Sequence, residues 1–275
     1  MSNNQPEWAR IADALERLTP ERHPPVDWLS APAYVWEGKS ARAISVLEAP
    51  ALEQLRGIDR QKAIVCENVT RLAHGAAAHD MLLWGSRGMG KSALVRSAAI
   101  AAQQSDGGKL ALVQIGTDAL AGLARLFAEI GAQDMNFLVF IDDLGFAPED
   151  AAGPRHLRSW LEGGVEARPA NARLAVTSNR RAIRPREASE QDGALNPRDA
   201  IDDALALSDR FGLSIGFHAC SQADYLTIIA AYADPLGLKF EQKEALEWAK
   251  QRGARSGRTA WQFVTELAGR AGIRL

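Results

Sequence analysis

The stretch Met81–Val95, MLLWGSRGMGKSALV, constrains the fold more than any other part of the chain. Four apolar residues run into a loop with glycine at 85, 88 and 90. The loop closes on Lys91 and Ser92, and a helix-like run follows. Gly85, Ser86, Arg87, Gly88, Met89, Gly90, Lys91 and Ser92 together fit G-x-x-x-x-G-K-[ST]. A loop that wraps a phosphate must point its backbone N–H groups inward, and side chains would block that approach. Several of its turns need positive φ, which glycine adopts cheaply. The helix starting near Gly90 aims its positive dipole end at the same anion. Lys91 can reach β- and γ-phosphates, and the Ser92 hydroxyl can meet Mg²⁺. A glycine-rich turn with a solvated lysine is the plain alternative. The apolar strand before the loop and the helix after it, running on through Ala93, favour nucleotide binding.

The rest of the chain repeats this alternation. Apolar runs at 81–84, 110–116, 137–141, 173–178 and 213–217 read as strands, with helical stretches between them. Strands alternating with helices predict a parallel five-stranded sheet covered on both faces, an α/β/α sandwich. After residue 220 three helical stretches follow, SQADYLTIIAAYADPLG, FEQKEALEWAKQRG and SGRTAWQFVTELAGR, and predict a small helical lid. Residues 59–74 read as a helix with Ile58, Val65, Val69 and Leu72 on its apolar side and Gly75 as its stop. Near the start, Trp8, Ile11, Leu15 and Leu18 share one helical face after Pro6. TPERHPPVDWLSAPAYVWEG reads as an irregular connector. The expected organisation is an N-terminal helical extension over 1–50, a nucleotide-binding α/β domain over 51–219 and a helical lid over 220–275.

Composition narrows the setting. A formal net charge of -2 offers no bulk attraction to nucleic acid or acidic membranes. The two cysteines, Cys66 and Cys220, are far apart and suggest reduced thiols rather than a metal knuckle or a disulfide framework. The opening residues lack the basic region and apolar core of a signal peptide. No apolar run approaches the ~20 residues that span a bilayer. A cytoplasmic protein with no membrane partner is expected.

A nucleotide held with Mg²⁺ also needs an acid near the metal. NFLVFIDDLGF supplies an apolar strand ending in Asp142 and Asp143. Adjacent carboxylates at a buried strand end repel each other and need a cation or hydrogen bonds. In open α/β sheets, ligands bind at that carboxyl edge. Asp142 would hold Mg²⁺ together with Ser92, and Asp143 would polarise the attacking water. The alternative is an acidic pair capping the following turn.

These motifs, in this order, resemble those of AAA+ ATPases: the glycine loop, FLVFIDD, AVTSNRR, LSDRFGL and RSGRTAWQF. More closely, LRGIDRQK, LLWGSRGMGKSALV, IDDLGF, TSNRRAI and SDRFGL resemble a functionally uncharacterised bacterial group within that superfamily. IDDLG is also similar to helicase-loader and transposition-helper ATPases. The resemblance spans about residues 50 to 275. It implies a P-loop fold, ATP and Mg²⁺ as ligands, and assembly into oligomers. It implies that Asn179 senses γ-phosphate and orients water; a plain strand-end turn is the other reading of that residue. It implies that Arg210 is an arginine finger reaching into a neighbouring subunit's site, against a surface arginine paired with Asp209. Arg258 matches the lid arginine that contacts nucleotide in its own chain, with Arg255 an alternative. Gly57 and Ile58 match the segment that packs on adenine. Many members carry Asp-Glu where this chain has Asp142-Asp143, a second carboxylate one methylene shorter.

The expectation is therefore an ATPase of shared interface sites, a homo-oligomer that remodels an unknown protein or nucleic-acid client. A nucleotide-gated adaptor or loader on DNA is a second expectation, resting on IDDLG and on Arg180, Arg181, Arg184 and Arg186. Those arginines equally suit a solvated face. A scaffold that binds nucleotide without hydrolysing it is a third, resting on Asp143 in place of glutamate.

Overall fold

The computed structural model describes residues 25–144, 157, 160–161, 168–179 and 209–275. The helix expected over residues 6–18 and the arginines 180–186 lie outside the described residues. The strands are β1 (Ala33–Trp36), β2 (Ala41–Ile44), β3 (Met81–Gly85), β4 (Leu110–Ile115), β5 (Asn136–Ile141), β6 (Ala172–Ser178) and β7 (Leu213–Phe217). The helices are α1 (Asp59–Ala73), α2 (Lys91–Gln103), α3 (Leu123–Gly131), α4 (Gln222–Ala233), α5 (Gln242–Gln251) and α6 (Gly257–Arg270). The strands form one sheet in the order β2-β1-β4-β5-β6-β3-β7.

The five expected strands are present and parallel, but among the described residues the sheet has seven. β1 pairs parallel to β4, and β2 turns back antiparallel at the edge. β1 comes from the segment that reads as a connector, and β2 follows just after it, within the stretch expected as an N-terminal extension. AYVW has side chains that suit a pleated surface, and Trp36 and Tyr34 are fully buried. Four-residue strands flanked by Pro32 and Gly38 carry too little alternation to stand out.

Alternate residues of the sheet feed two cores, as a pleat of period two requires. Leu83, Leu112, Leu138 and Phe140 face α1, α2 and the lid, packing with Val65, Val69, Leu94 and Phe263. Leu82, Val113, Phe137 and Val139 face the other way, against Leu126, Phe127 and Trp28. The lid helices share the first core through Tyr225, Ile229 and Val264, so lid and sheet are packed as one body on that face. Helix α1 ends at the expected place, with Gly75 at φ 68°. Helix α4 starts on a capping box, in which Ser221 Oγ accepts from the Asp224 N–H. No helix among the described residues is long and apolar enough to cross a membrane.

Candidate functional site

Strand β3 lies between β6 and β7, and the chain leaves its carboxyl end through the glycine loop. Gly85 sits at φ 118°, and a Cβ there would lie 2.1 Å from the Phe217 carbonyl oxygen. The loop is pinned at that point by the Ser86 N–H, which donates to the same carbonyl at 2.8 Å. Gly88 and Gly90 also take positive φ, 73° and 86°. Gly90 is the N-cap of α2, so the helix opens directly behind the loop. Met89 is buried and Arg87 exposed.

Lys91 points back into the loop and is 5% exposed. Its ammonium donates to Gly85 O (2.9 Å), Ser86 O (2.8 Å) and Asn179 Oδ1 (3.0 Å). Burial lowers its pKa from 10.5 to about 8, although Asp143 and Asp142 oppose the shift; Arg258 and Arg87 add to it. Desolvation outweighs the two carboxylates.

The acids stand where the sequence places them, past the carboxyl end of β5. Asp142 Oδ1 accepts from Ser92 Oγ at 2.6 Å and from Thr177 Oγ1 at 2.6 Å. A carboxylate and a hydroxyl in contact form a hard-oxygen donor set, which fits Mg²⁺ beside a phosphate. Asp143 takes φ 54°, the left-handed region, which is uncommon for a residue other than glycine. Its carboxylate accepts from Asn179 Nδ2, and its N–H donates to Thr177 Oγ1 at 2.8 Å. Lys91, Asn179 and Asp143 thus form one hydrogen-bonded line.

Beside them opens a cavity of about 370 Å³. Its lining includes the polar Lys91, Ser92, Asp142, Asp143 and Asn179. It also includes Ala93 and the apolar or aromatic Leu55, Ile58, Ile228, Tyr232 and Trp261. Tyr232 and Trp261 meet edge to face at 5.1 Å. Ile58 lines the wall, while Gly57 turns behind it at φ 74° against Asp224. The lid contributes to the lining and touches the loop. The Arg258 N–H donates to Gly88 O at 3.1 Å, and Gly257 and Arg258 both line the cavity. Arg255 does not; its carbonyl accepts from Cys220 Sγ at 3.1 Å.

Arg210 is elsewhere. It precedes Leu213, the first residue of β7, which pairs with Met81 at the amino end of β3. The loop lies at the other end, where Phe217 pairs with Gly85. The five residues of β7 put ~16 Å between the two edges.

Sequence reasoning missed Thr177, and also Tyr232, Trp261 and Arg96 in the cavity wall. A threonine inside the run LAVTSN carried a signal, since a polar residue in a buried strand needs a partner. The lid aromatics carried none, because nothing in their spacing separates a cavity wall from a core.

The loop, the acidic pair and a polar residue at the ends of the adjacent strands β3, β5 and β6, beneath a helical lid, have the layout of the AAA+ P-loop fold. The chain belongs to the family described as "Protein of unknown function (DUF815)", which matches residues 29–271. Among solved structures it is similar to the Aeropyrum pernix Orc1 protein in complex with DNA, at 15% identity and TM-score 0.57, covering 80% of this chain and 65% of that one. It is similar to the FIGL-1 AAA domain in complex with ADP, at 16% identity and TM-score 0.52, covering 82% and 75%. It is also similar to a Thermotoga maritima RuvB variant, at 17% identity and TM-score 0.51, covering 82% and 68%. No curated protein matches the sequence.

Proposed function

We propose that the protein hydrolyses ATP with Mg²⁺ at sites shared between copies of the chain, and couples turnover to remodelling a client. The observation that carries the reading is the connected line Lys91–Asn179–Asp143 beside Ser92–Asp142, all lining one cavity. Its apolar lining suits a purine base, with Ile58, Tyr232 and Trp261 offering flat and aliphatic surface. The loop N–H groups and the start of α2 suit the phosphates.

Lys91 now spends its three donors on two loop carbonyls and Asn179. A bound γ-phosphate offers it an anion instead. Ser92 and Asp142 would hold Mg²⁺, which neutralises charge on the β- and γ-oxygens when bound. Asn179, released from Lys91, orients a water. That water's oxygen bonds to the γ-phosphorus as the bond to the β–γ bridging oxygen breaks, and its proton passes to Asp143. Arg210 lies ~16 Å along the sheet from its own loop, too far for a role in that site. A neighbouring copy would supply it, stabilising charge on the transferring group. The lid contact at Gly88 O links the phosphate loop to α6, which gives the chemistry a lever on the lid.

The test is ATP turnover against protein concentration, for wild type and Arg210→Ala. Turnover per subunit should climb with concentration, while the variant binds ATP and stays flat. A wild-type rate per subunit that does not depend on concentration across the assembly range removes the shared site.

A further inference from the structure

Strand β6 does more than carry Asn179. The ladder between β5 and β6 ends at the pair Ile141 and Val176. Beyond it the chain of β5 bends into the acidic pair, and one residue of β6, Thr177, takes over the tethering. Its hydroxyl donates to Asp142 Oδ1 at 2.6 Å and accepts from the Asp143 N–H at 2.8 Å. Its carbonyl accepts from the Leu144 N–H at 2.8 Å. Thr177 itself is 1% exposed, so no water competes for the hydroxyl.

One hydroxyl thus touches both acids in opposite senses. Donating to Asp142 Oδ1 fixes the rotor's hydrogen, which leaves a lone pair directed at the Asp143 N–H. The two contacts cannot be varied independently. The second contact falls on a backbone at φ 54°, a strained conformation that persists only when its surroundings hold it. Without the hydroxyl, Asp143 would lose the partner of its N–H and the restraint on its left-handed backbone. Its carboxylate would then leave the line to Asn179.

We infer that Thr177 is a positioning residue that sets Asp142 and Asp143 in register with each other, so that the metal-side and water-side carboxylates move as one unit. This rests on the reading of Asp143 as the group that takes the water's proton. Misplacing such a group by about 1 Å costs ~10²-fold in rate. The loss falls on kcat, because Lys91, the loop and the apolar wall, which hold the nucleotide, are untouched.

The experiment compares Thr177→Val, Thr177→Ser and Thr177→Ala in the full chain with Mg·ATP. Valine keeps the shape and removes the hydroxyl. Serine and alanine both lack the methyl and differ by the hydroxyl alone. The expected result is a kcat down ~10²-fold in the valine and alanine variants with KM little changed, and recovery in serine. Serine and alanine variants with equal kcat would overturn the inference, as would a valine variant that matches wild type. Hydrogen exchange of the Asp143 amide in the unliganded protein reads the positioning directly. Protection should fall in Thr177→Val and return in Thr177→Ser, and unchanged protection would overturn the inference. That second readout holds even if wild type shows no turnover, the outcome that would instead remove the ATPase reading.

Discussion

Lys91 makes a quantitative prediction about pH. Its pKa of about 8 without nucleotide means that it is largely charged at pH 7 and roughly nine-tenths neutral at pH 9. A phosphate beside the ammonium favours the charged form and raises the pKa again. ATP phosphates are fully ionised above pH 8, so they bind without proton changes of their own. Binding at pH 9 must then take up close to one proton, and at pH 7 about a tenth of one. Affinity should fall by up to about tenfold per pH unit above pH 8, until the pKa of the bound state is reached. Isothermal titration of Mg·ATP in two buffers of different ionisation enthalpy counts the protons. Lys91→Met, which has nothing to titrate there, should bind more weakly at pH 7 and show neither the uptake nor the slope. Wild-type binding at pH 9 without proton uptake would refute the reasoning, as would equal uptake in the variant. The same shift acts on stability. Between about pH 8 and 10.5 the unfolded chain keeps this proton and the folded chain has lost it. The folded state therefore gains stability as pH rises through that window, ~3 kcal/mol in all for a shift from 10.5 to about 8. Lys91→Met lacks that gain, so denaturant midpoints of the two proteins should diverge from pH 8 upward.

Two further changes probe the frame around the site. Gly88→Ala would bring a Cβ to 2.8 Å from Ser256 Oγ and 3.2 Å from Arg258 Cβ, at a φ of 73° that disfavours any side chain. The lid must move off the loop, and Mg·ATP affinity, read by titration, should fall by ~10-fold or more. Asp80→Asn acts at the opposite edge of the sheet. Asp80 is 8% exposed, accepts from the Leu174 N–H at 2.7 Å and pairs with Arg168, so removing its charge leaves that guanidinium without its ion partner. Thermal melts should show a loss of ~2 kcal/mol, or about 4–8 °C, with Mg·ATP affinity unchanged.

Much of this arrangement was legible because the chemistry demands particular residues at particular places. A loop needs glycine where backbone must approach backbone, and Gly85 against Phe217 O is such a place. Asp142 was legible as an acid ending an apolar strand, and Asn179 only through the resemblance, since a strand-end asparagine alone equally suits a turn. The two extra strands were not, since four residues beside Pro32 and Gly38 look the same whether they are paired or irregular. Nor was the cavity's aromatic lining. Tyr232 and Trp261 lie on different lid helices, and their meeting depends on how α4 packs on α6. Local pattern reads local structure; it reads a site only where the site is built from strand ends.

The departure from Asp-Glu has a physical account of the same kind. The residue after Asp142 takes φ 54°. Aspartate tolerates the left-handed region better than glutamate, because its short side chain can hydrogen-bond locally. Here the Asn179 amide donates to the Asp143 carboxylate, and the Asp143 N–H is held by Thr177. A glutamate in the same backbone would carry one more methylene past Asn179, and would add cost at a position already strained. The shorter carboxylate is therefore matched to this backbone. Asp143→Glu should lower kcat rather than raise it, and it should lower the melting temperature as well. A glutamate variant that is faster and no less stable would show that the left-handed turn is incidental to the choice of acid.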